Sequence, residues 1–200
     1  FQRKQRGAVT AAVSGAPSSS LPPKKTVWVL KSPQNAEFVR TVADVFPGAL
    51  HVFTHRRSVE VLRSLVPMMA YVNGVFGPIG PAAPAKYYED LASFWVHRLA
   101  WVGSKLARDV RNNTVPRERQ VHITFREYMA DPVGTAARVL THAGLTDASA
   151  DAVQGLLHAK QASSARQGEL VFEYDLASFG VDEAQAAALL REYDRQFGVA

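Results

Sequence analysis

The 200-residue sequence contains no cysteine, so disulfide bonds and thiolate metal sites are excluded, while the redox compartment stays open. No apolar run approaches the roughly 20 residues that a membrane-spanning helix needs, so no transmembrane segment is expected. Hydrophobic residues make up 47% and charged residues 20%, as is ordinary for a soluble globular chain long enough to bury a core. The net charge of +5 favours an anionic partner.

Several catalytic motifs are also missing. The sequence has no GxxxxGK[ST] phosphate loop, which excludes a self-contained P-loop NTPase, and no GxSxG or HExxH element. The six histidines, at positions 51, 55, 97, 122, 142 and 158, show no metal-ligand spacing. We therefore interpret each as structural or exposed, and expect no metal. Basic residues are dispersed and not interleaved with aromatics, so nucleic acid is not an expected partner.

No acidic residue precedes Glu37. Residues 1–26 are rich in Arg, Ser and Ala, a composition typical of organelle transit peptides. The interpretation we favour is a basic helix over residues 1–13 followed by a flexible Gly/Pro/Ser linker. We therefore predict a 1–26 extension and a folded domain over 27–200, and the compartment, cytoplasmic or organellar, stays open.

One stretch early in the chain carries the strongest signals of regular structure. It is predicted to form, in order, a short strand, a helix and a second short strand: Val27–Leu30, residues 35–46 and residues 50–53. Three such elements within about thirty residues predict a βαβ unit whose strands are parallel and buried on both faces. Open α/β sheets bind ligands at the carboxyl ends of their strands. The expected site is therefore where these two strands end.

Cationic residues follow both predicted strands. Lys31 comes after the first strand, and Arg56 comes after the second, with Arg57 beside it. An arginine can grip a phosphate through two parallel N–H bonds, and the amides that open the next helix add donors for an anion. Ser58 is the predicted N-cap of that helix, with its hydroxyl accepting a hydrogen bond from a free backbone N–H of the first turn. Ser64 shares the crevice only if its face of the helix turns that way.

The remainder of the chain alternates helices with breaks. Residues 72–86 hold three glycines and three prolines and are predicted to be irregular. A third strand is predicted at residues 121–125, and Asp131-Pro132 is a start signal for a helix. Other helices are predicted at residues 59–69, 87–110 and 148–159, and a last one begins at Asp182 with Leu189, Leu190, Tyr193 and Phe197 on its apolar stripe.

The motif WVLKSP followed by FPGALHVFTHRRSVEVLRS resembles the nucleotide-binding half of the sulfotransferase superfamily, in its bacterial-type sulfotransferase-like branch. In that family the second strand carries an Arg and, eight residues later, a Ser. Arg56 and Ser64 match both the residue types and the spacing. A strand ending at Phe125, the segment EYMADPV and the segment FEYDLASFGVDEAQ are also similar, so the resemblance covers about residues 27–198.

The resemblance implies an α/β fold, the three-layer P-loop-NTPase-like sulfotransferase fold, with a short parallel sheet flanked by helices and this chain as a partial domain. It implies that Arg56 and Ser64 hold the 3′-phosphate of the donor 3′-phosphoadenosine-5′-phosphosulfate. Lys31 would line the crevice near the transferring group as a possible catalytic residue, and Arg166 and Gly168 would help to cover the 3′-phosphate. The implied partners are this nucleotide donor and an unidentified acceptor or protein partner.

The sequence departs from the family pattern in three places. The family's LKSP is commonly followed two residues later by His, and here that position is Asn35, whose neutral amide cannot act as a general base. The family's Arg-Asp-Pro is here Arg56-Arg57-Ser58. Its Gly/Ser/Thr-rich loop, which holds the 5′-phosphosulfate, is expected upstream of Phe1.

Two hypotheses therefore stay open. In the first, the chain is part of an enzyme that transfers a sulfuryl group to a hydroxyl or amine acceptor, and the chain alone is not active. In the second, it is a non-catalytic sulfotransferase-like scaffold or assembly subunit, since fold alone does not decide function.

Overall fold

The computed structural model describes residues 27–77, 83–145, 151, 153–155, 158 and 175–200. The chain divides into two units, Phe1–Lys31 and Ser32–Ala200. The described part of the first unit is residues 27–31. Their backbone joins no strand ladder, and Trp28 and Val29 are 84% and 87% exposed. The strand predicted at Val27–Leu30 is therefore wrong for the structure described, because β-forming side chains make a strand only where a neighbouring strand supplies packing and hydrogen bonds. The boundary between residues 26 and 27 stays a prediction.

The second unit holds a sheet of two parallel strands, β1 (His51–His55) and β2 (Gln120–Thr124). They pair in register, from His51 opposite Gln120 to His55 opposite Thr124. Parallel strands need a long crossover, and here two helices supply it. The expected α/β class, with a short parallel sheet and flanking helices, is confirmed. The described partner of β1 is β2, not the predicted first strand.

Helices make up most of the second unit. In chain order they are α1 (Val39–Val45), α2 (Ser58–Phe76), α3 (Ala85–Arg111), α4 (Phe125–Ala130), α5 (Pro132–His142) and α6 (Glu183–Gln196). Short 3-10 helices lie at Pro33–Glu37, Arg117–Arg119 and Leu176–Phe179. Of the helix predicted at 148–159, residues 151, 153–155 and 158 are described, and they are helical. Within the described ranges, no helix is long and apolar enough to cross a membrane.

Side-chain caps explain where several helices begin. The Asp131 carboxylate accepts the N–H of Gly134 at 2.8 Å, which confirms the helix start predicted at this position. Asp182 caps α6 in the same way through two backbone amides. The sequence reasoning missed α4, although its signal was present: Thr124 and Glu127 form a capping box directly at the end of β2.

Two helix boundaries differ from the predictions. The helical pattern over residues 35–46 is divided at Phe38 into a 3-10 helix and α1. The predicted irregular stretch, 72–86, is wrong in its first part, because α2 continues to Phe76. Burial does not hold this last part in the helix, since Val75 and Phe76 are 53% and 82% exposed. Asn73 instead donates to the Met69 carbonyl at 2.8 Å and accepts from the Tyr87 hydroxyl at 3.2 Å, bonds that offset part of the roughly 1 kcal/mol helix cost of Gly74. The helix ends at Phe76, before Gly77. Gly77 precedes a proline, and the proline ring disfavours helical backbone angles at the residue before it.

The main core lies where α2, α3 and α6 pack together. Its buried members are Leu62, Val66, Ala92, Val96, Leu176, Val181, Ala186 and Leu190, and fully burying a leucine contributes about 2 kcal/mol. A second cluster brings Val39, Leu106 and Val115 together with partly buried Phe53, Tyr193 and Phe197. Helix α6 therefore reaches both clusters. The apolar stripe predicted for it is wrong at Leu189, which is 49% exposed.

Candidate functional site

The carboxyl ends of β1 and β2 lie side by side, because the strands are parallel and His55 is opposite Thr124. Two residues join β1 to α2, and α4 begins directly after β2. A cavity of about 700 Å³ opens at this edge. Its lining is mostly apolar and aromatic, and includes Arg56, Phe125, Tyr128, Thr135, Val139 and Leu140. The cavity therefore lies where a ligand crevice is expected in an open α/β sheet.

Arg56 lines this cavity with 42% of its side chain exposed. Its Nε donates to the Glu60 carboxylate at 2.8 Å, and its guanidinium carbon lies 4.7 Å from the centre of the Phe125 ring. Its two terminal nitrogens have no hydrogen-bond partner within the described ranges. A guanidinium fixed at one edge and one face can still grip an anion through parallel N–H bonds. The exposed guanidinium of Arg56 is therefore suited to bind a phosphate. That Arg56 binds the 3′-phosphate stays a prediction.

Ser64, a second predicted site residue, is placed differently. Ser64 is exposed and does not line the cavity, and its hydroxyl donates to the carbonyl of Val61 at 3.0 Å. Lys31 is exposed and belongs to the first unit. Arg166 and Gly168 lie outside the described residues. Among the described residues of the second unit, Arg56 is the predicted site residue that lines the cavity.

The start of α2 corrects the prediction for Ser58. The N-cap residue is Arg57, which makes no side-chain cap, and Ser58 is the first helical residue. The Ser58 hydroxyl donates to Asp194 Oδ2 at 2.8 Å, and its backbone N–H donates to Asp194 Oδ1 at 3.0 Å. The cap was wrong because a buried carboxylate takes both donors of Ser58. The Ser58 amide is therefore already bonded and is not free for an anion.

A chain of hydrogen bonds passes through His55, which lines the cavity. Gln120 Nε2 donates to the Val115 carbonyl at 2.5 Å, so its Oε1 accepts from His122 Nε2 at 2.9 Å. A neutral His122 then accepts at Nδ1 from His55 Nε2, 2.8 Å away. His55 Nδ1 in turn accepts from the Tyr193 hydroxyl at 2.9 Å. Every bond therefore runs in one direction, from Tyr193 to Val115.

The electrostatics agree with this assignment. Burial, together with a smaller effect of the nearby His122, lowers the pKa of His55 to about 4, and Glu127 acts in the opposite direction. Burial also lowers the pKa of His122. Burial and the Asp194 charge raise the pKa of Tyr193 to about 12. All three side chains are neutral at pH 7, as the one-directional chain requires. Both ring nitrogens of His55 are engaged, so this histidine offers no free base to the cavity.

Sequence reasoning missed the role of α6 in this region. It assigned Tyr193 to the apolar stripe and did not single out Asp194. A signal was available for Asp194, because it follows the buried Ala186 and Leu190 at steps of four on the inward face of the helix. A charged residue on such a face needs a buried partner. Its partner, Ser58, lies 136 residues away in the sequence and could not be read from it.

Comparisons with known proteins give one match. A family model described as the sulfotransferase family matches residues 7–149, a range that contains both strands and α1 to α5 but not α6. No curated protein and no solved structure matches the chain. In the described part of the chain, no group of three or more His, Asp or Glu side chains could hold a metal ion.

Proposed function

The chain belongs to the sulfotransferase family, and from that premise we propose that it binds the 3′-phosphate of 3′-phosphoadenosine-5′-phosphosulfate at the carboxyl end of β1. In this proposal Arg56 is the main cationic contact. The bound donor supplies the sulfuryl group, and the protein serves its transfer to a hydroxyl or amine acceptor.

The observation that carries the proposal is the position and state of Arg56. It follows the last residue of β1, lines the cavity, and has two terminal nitrogens without partners in the described ranges. The Phe125 ring and the Glu60 carboxylate restrict its guanidinium, so less side-chain freedom is lost when an anion binds. The mostly apolar cavity beside Arg56 suits the adenine ring, which is the flat and less polar part of the nucleotide.

Ser64 and Lys31 are subsidiary parts of the proposal. The Ser64 hydroxyl gives up only an exposed bond to its own helix if it turns to the phosphate, and such a change costs little. Lys31 would stabilise charge on the transferring sulfonate, in the manner of the cations that serve phosphoryl transfer. Arg166 and Gly168 would help to cover the 3′-phosphate.

A second candidate function, a non-catalytic scaffold or assembly subunit, is favoured by the lack of a general base among the described residues of the cavity. Asn35 is exposed on the first 3-10 helix and cannot take a proton at neutral pH. His55 lines the cavity, but its pKa near 4 and its two hydrogen bonds make it a poor base. Binding without transfer is the behaviour that this candidate predicts.

Calorimetric titration with adenosine 3′,5′-bisphosphate tests the binding proposal. We expect saturable binding to the chain, a loss of about 100-fold or more in Arg56→Ala, and weaker binding of adenosine 5′-monophosphate, which lacks the 3′-phosphate. Arg40→Ala is the matched control, because Arg40 is exposed on α1, does not line the cavity and carries the same charge. The proposal would be overturned if a folded wild-type chain does not bind the bisphosphate at millimolar concentration.

The two candidate functions separate in a transfer assay. Because the enzyme hypothesis expects the chain alone to be inactive, the assay uses the full-length gene product. Incubation with radiolabelled donor and a panel of phenols, alcohols, amines and sugars then yields labelled product if that protein is an active transferase. Product that disappears in Arg56→Ala supports the enzyme. Tight binding of the donor with no labelled product from any acceptor supports the non-catalytic candidate.

A further inference from the structure

We propose that Tyr193 and Asp194, consecutive residues of α6, are positioning residues that hold the β1–α2 turn (His55–Ser58) in the conformation that presents Arg56 to an anion. The proposal rests on the proposed function, because the anion is the 3′-phosphate assigned there. It adds a segment that lies outside the range matched by the family model.

Asp194 fixes the far end of the turn. Both of its carboxylate oxygens accept hydrogen bonds from one residue, Oδ1 from the Ser58 N–H at 3.0 Å and Oδ2 from the Ser58 hydroxyl at 2.8 Å. Both residues are buried, with 7% and 2% of their surfaces exposed. Two bonds to one residue determine both its position and its orientation. The carboxylate also lies at the positive end of the α2 dipole, which favours it there.

Tyr193 fixes the near end of the turn. Its hydroxyl donates to His55 Nδ1 at 2.9 Å, while the other ring nitrogen of His55 is bonded to His122 on the neighbouring strand. The Phe197 ring stacks on His55 with 4.0 Å between the ring centres. His55 is therefore held by α6 on one side and by β2 on the other, and it is 2% exposed.

Helix α6 is suited to act as the support because α3 holds it independently of the turn. Gln196 Nε2 donates to the carbonyl of Ala107 at 2.9 Å, and Glu192 pairs with Arg111 at 2.7 Å. Gly103 allows close packing, since a Cβ there would lie only 3.3 Å from the Cβ of Tyr193. Successive side chains on a helix point about 100° apart, so neighbours in sequence can reach the two ends of one turn.

The consequence concerns the two arginines between the fixed ends. Arg56 and Arg57 have exposed side chains, but their backbone is bounded by His55 and Ser58. A charged group on a preorganised turn binds an anion with less loss of entropy than one on a mobile loop. The anion affinity of Arg56 should therefore depend on two residues of α6 that lie outside the cavity lining.

The test compares variants of the full-length chain by titration with adenosine 3′,5′-bisphosphate. Tyr193→Phe removes one hydroxyl, Asp194→Ala removes both acceptors, and Asp194→Asn keeps an acceptor for the Ser58 amide and a donor for its hydroxyl. Leu190→Ala is the control, because it weakens the packing of the same helix without touching the turn. We expect affinity about tenfold lower in Asp194→Ala and severalfold lower in Tyr193→Phe, largely rescued in Asp194→Asn, and unchanged in Leu190→Ala below its melting temperature.

Hydrogen exchange on the ligand-free chain supplies a second readout. The amides of residues 56–61 should exchange faster in Tyr193→Phe and Asp194→Ala but not in Leu190→Ala. Unchanged affinity and exchange in the two turn variants, or equal losses in Leu190→Ala, would overturn the positioning role. A wild-type chain that does not bind the bisphosphate overturns the proposed function instead, and the exchange result then decides whether α6 holds the turn. If Asp194→Ala does not fold, Tyr193→Phe decides.

Discussion

The β1–α2 turn has two sides in opposite environments. His55 and Ser58 are 2% exposed, and every hydrogen-bonding group that the structure describes on their side chains has a protein partner. Arg56 and Arg57, between them, are exposed, and the terminal nitrogens of Arg56 have no partner within the described ranges. Four consecutive residues thus combine a buried, hydrogen-bonded support with exposed positive charge. We therefore predict that the buried side contributes stability and that the exposed side contributes the proposed anion binding.

The largest expected effect comes from removing the acceptor on the buried side. Asp194→Ala leaves the N–H and hydroxyl of Ser58 buried without acceptors, and at about 1–3 kcal/mol for each such group we expect a loss of about 4 kcal/mol in the free energy of unfolding. Urea denaturation measures this loss. Arg57→Ala, on the exposed side, should change stability by less than about 0.5 kcal/mol. Equal losses in the two variants would remove the distinction between the sides.

The second largest expected effect is a loss of stability at low pH, through the buried His55. The pKa of His55 is about 4 in the folded protein against 6.5 for a free histidine, so protonation favours the unfolded chain. Its contribution to stability is complete above pH 6.5 and is lost as the pH falls toward 4, by up to about 3 kcal/mol at about 1.4 kcal/mol per pH unit. Denaturation midpoints of the wild type and His55→Asn between pH 7.5 and 4.5 measure the difference. Parallel curves for the two proteins would show that His55 does not titrate as its burial predicts.

A smaller stability change is expected from one hydroxyl. Tyr193→Phe keeps the ring packed against Phe197 and His55 but removes the donor to His55 Nδ1. We expect a loss of about 1 kcal/mol, the net value of one hydrogen bond, in the free energy of unfolding. Thermal denaturation at pH 7.5 checks it. A loss as large as that of Asp194→Ala would mean that the hydroxyl supports more than this one bond.

The smallest effect should come from the exposed side. Glu60 holds Arg56 Nε at 2.8 Å and also places a negative charge beside the proposed anion. Exposed ion pairs contribute about 0.2–1 kcal/mol, so Glu60→Gln should leave stability nearly unchanged and tighten bisphosphate binding about twofold. Calorimetry at low salt measures it, with Glu118→Gln, a change of the same charge away from the cavity lining, as the control. Weaker binding would show that Glu60 orients Arg56 more than it repels the ligand.

The part of the site that the sequence could predict is the part that rests on local signals. A helix start at Asp131, a strand followed by Arg56 and a long helix close to residues 87–110 all follow from neighbouring residues. The contacts from Tyr193 to His55 and from Asp194 to Ser58 join residues 138 and 136 positions apart, and nothing local identifies such partners. For the same reason Ser58 looked like a cap that accepts a hydrogen bond. It donates instead, because a distant carboxylate lies beside it.

The strand predicted at Val27–Leu30 shows the opposite limit. Its residues have the composition of a buried strand, yet Trp28, Val29 and Leu30 are exposed in the described structure. The composition of a segment shows that it can form a strand when a neighbouring strand is present. Whether a neighbouring strand is present depends on the whole fold. β1 pairs with β2, whose first residue, Gln120, follows the last residue of β1, His55, by 65 positions. No local sequence pattern identifies that pairing.

A double-mutant cycle tests most directly the claim that the exposed side depends on the buried side. Bisphosphate affinity is measured by NMR titration for the wild type, Arg56→Ala, Tyr193→Phe and the double variant, so that weak binding stays measurable. If α6 acts through Arg56, Tyr193→Phe lowers affinity severalfold when Arg56 is present and has no further effect when Arg56 is absent. Equal effects of Tyr193→Phe in both backgrounds would contradict the account, because the helix would then act on binding independently of Arg56.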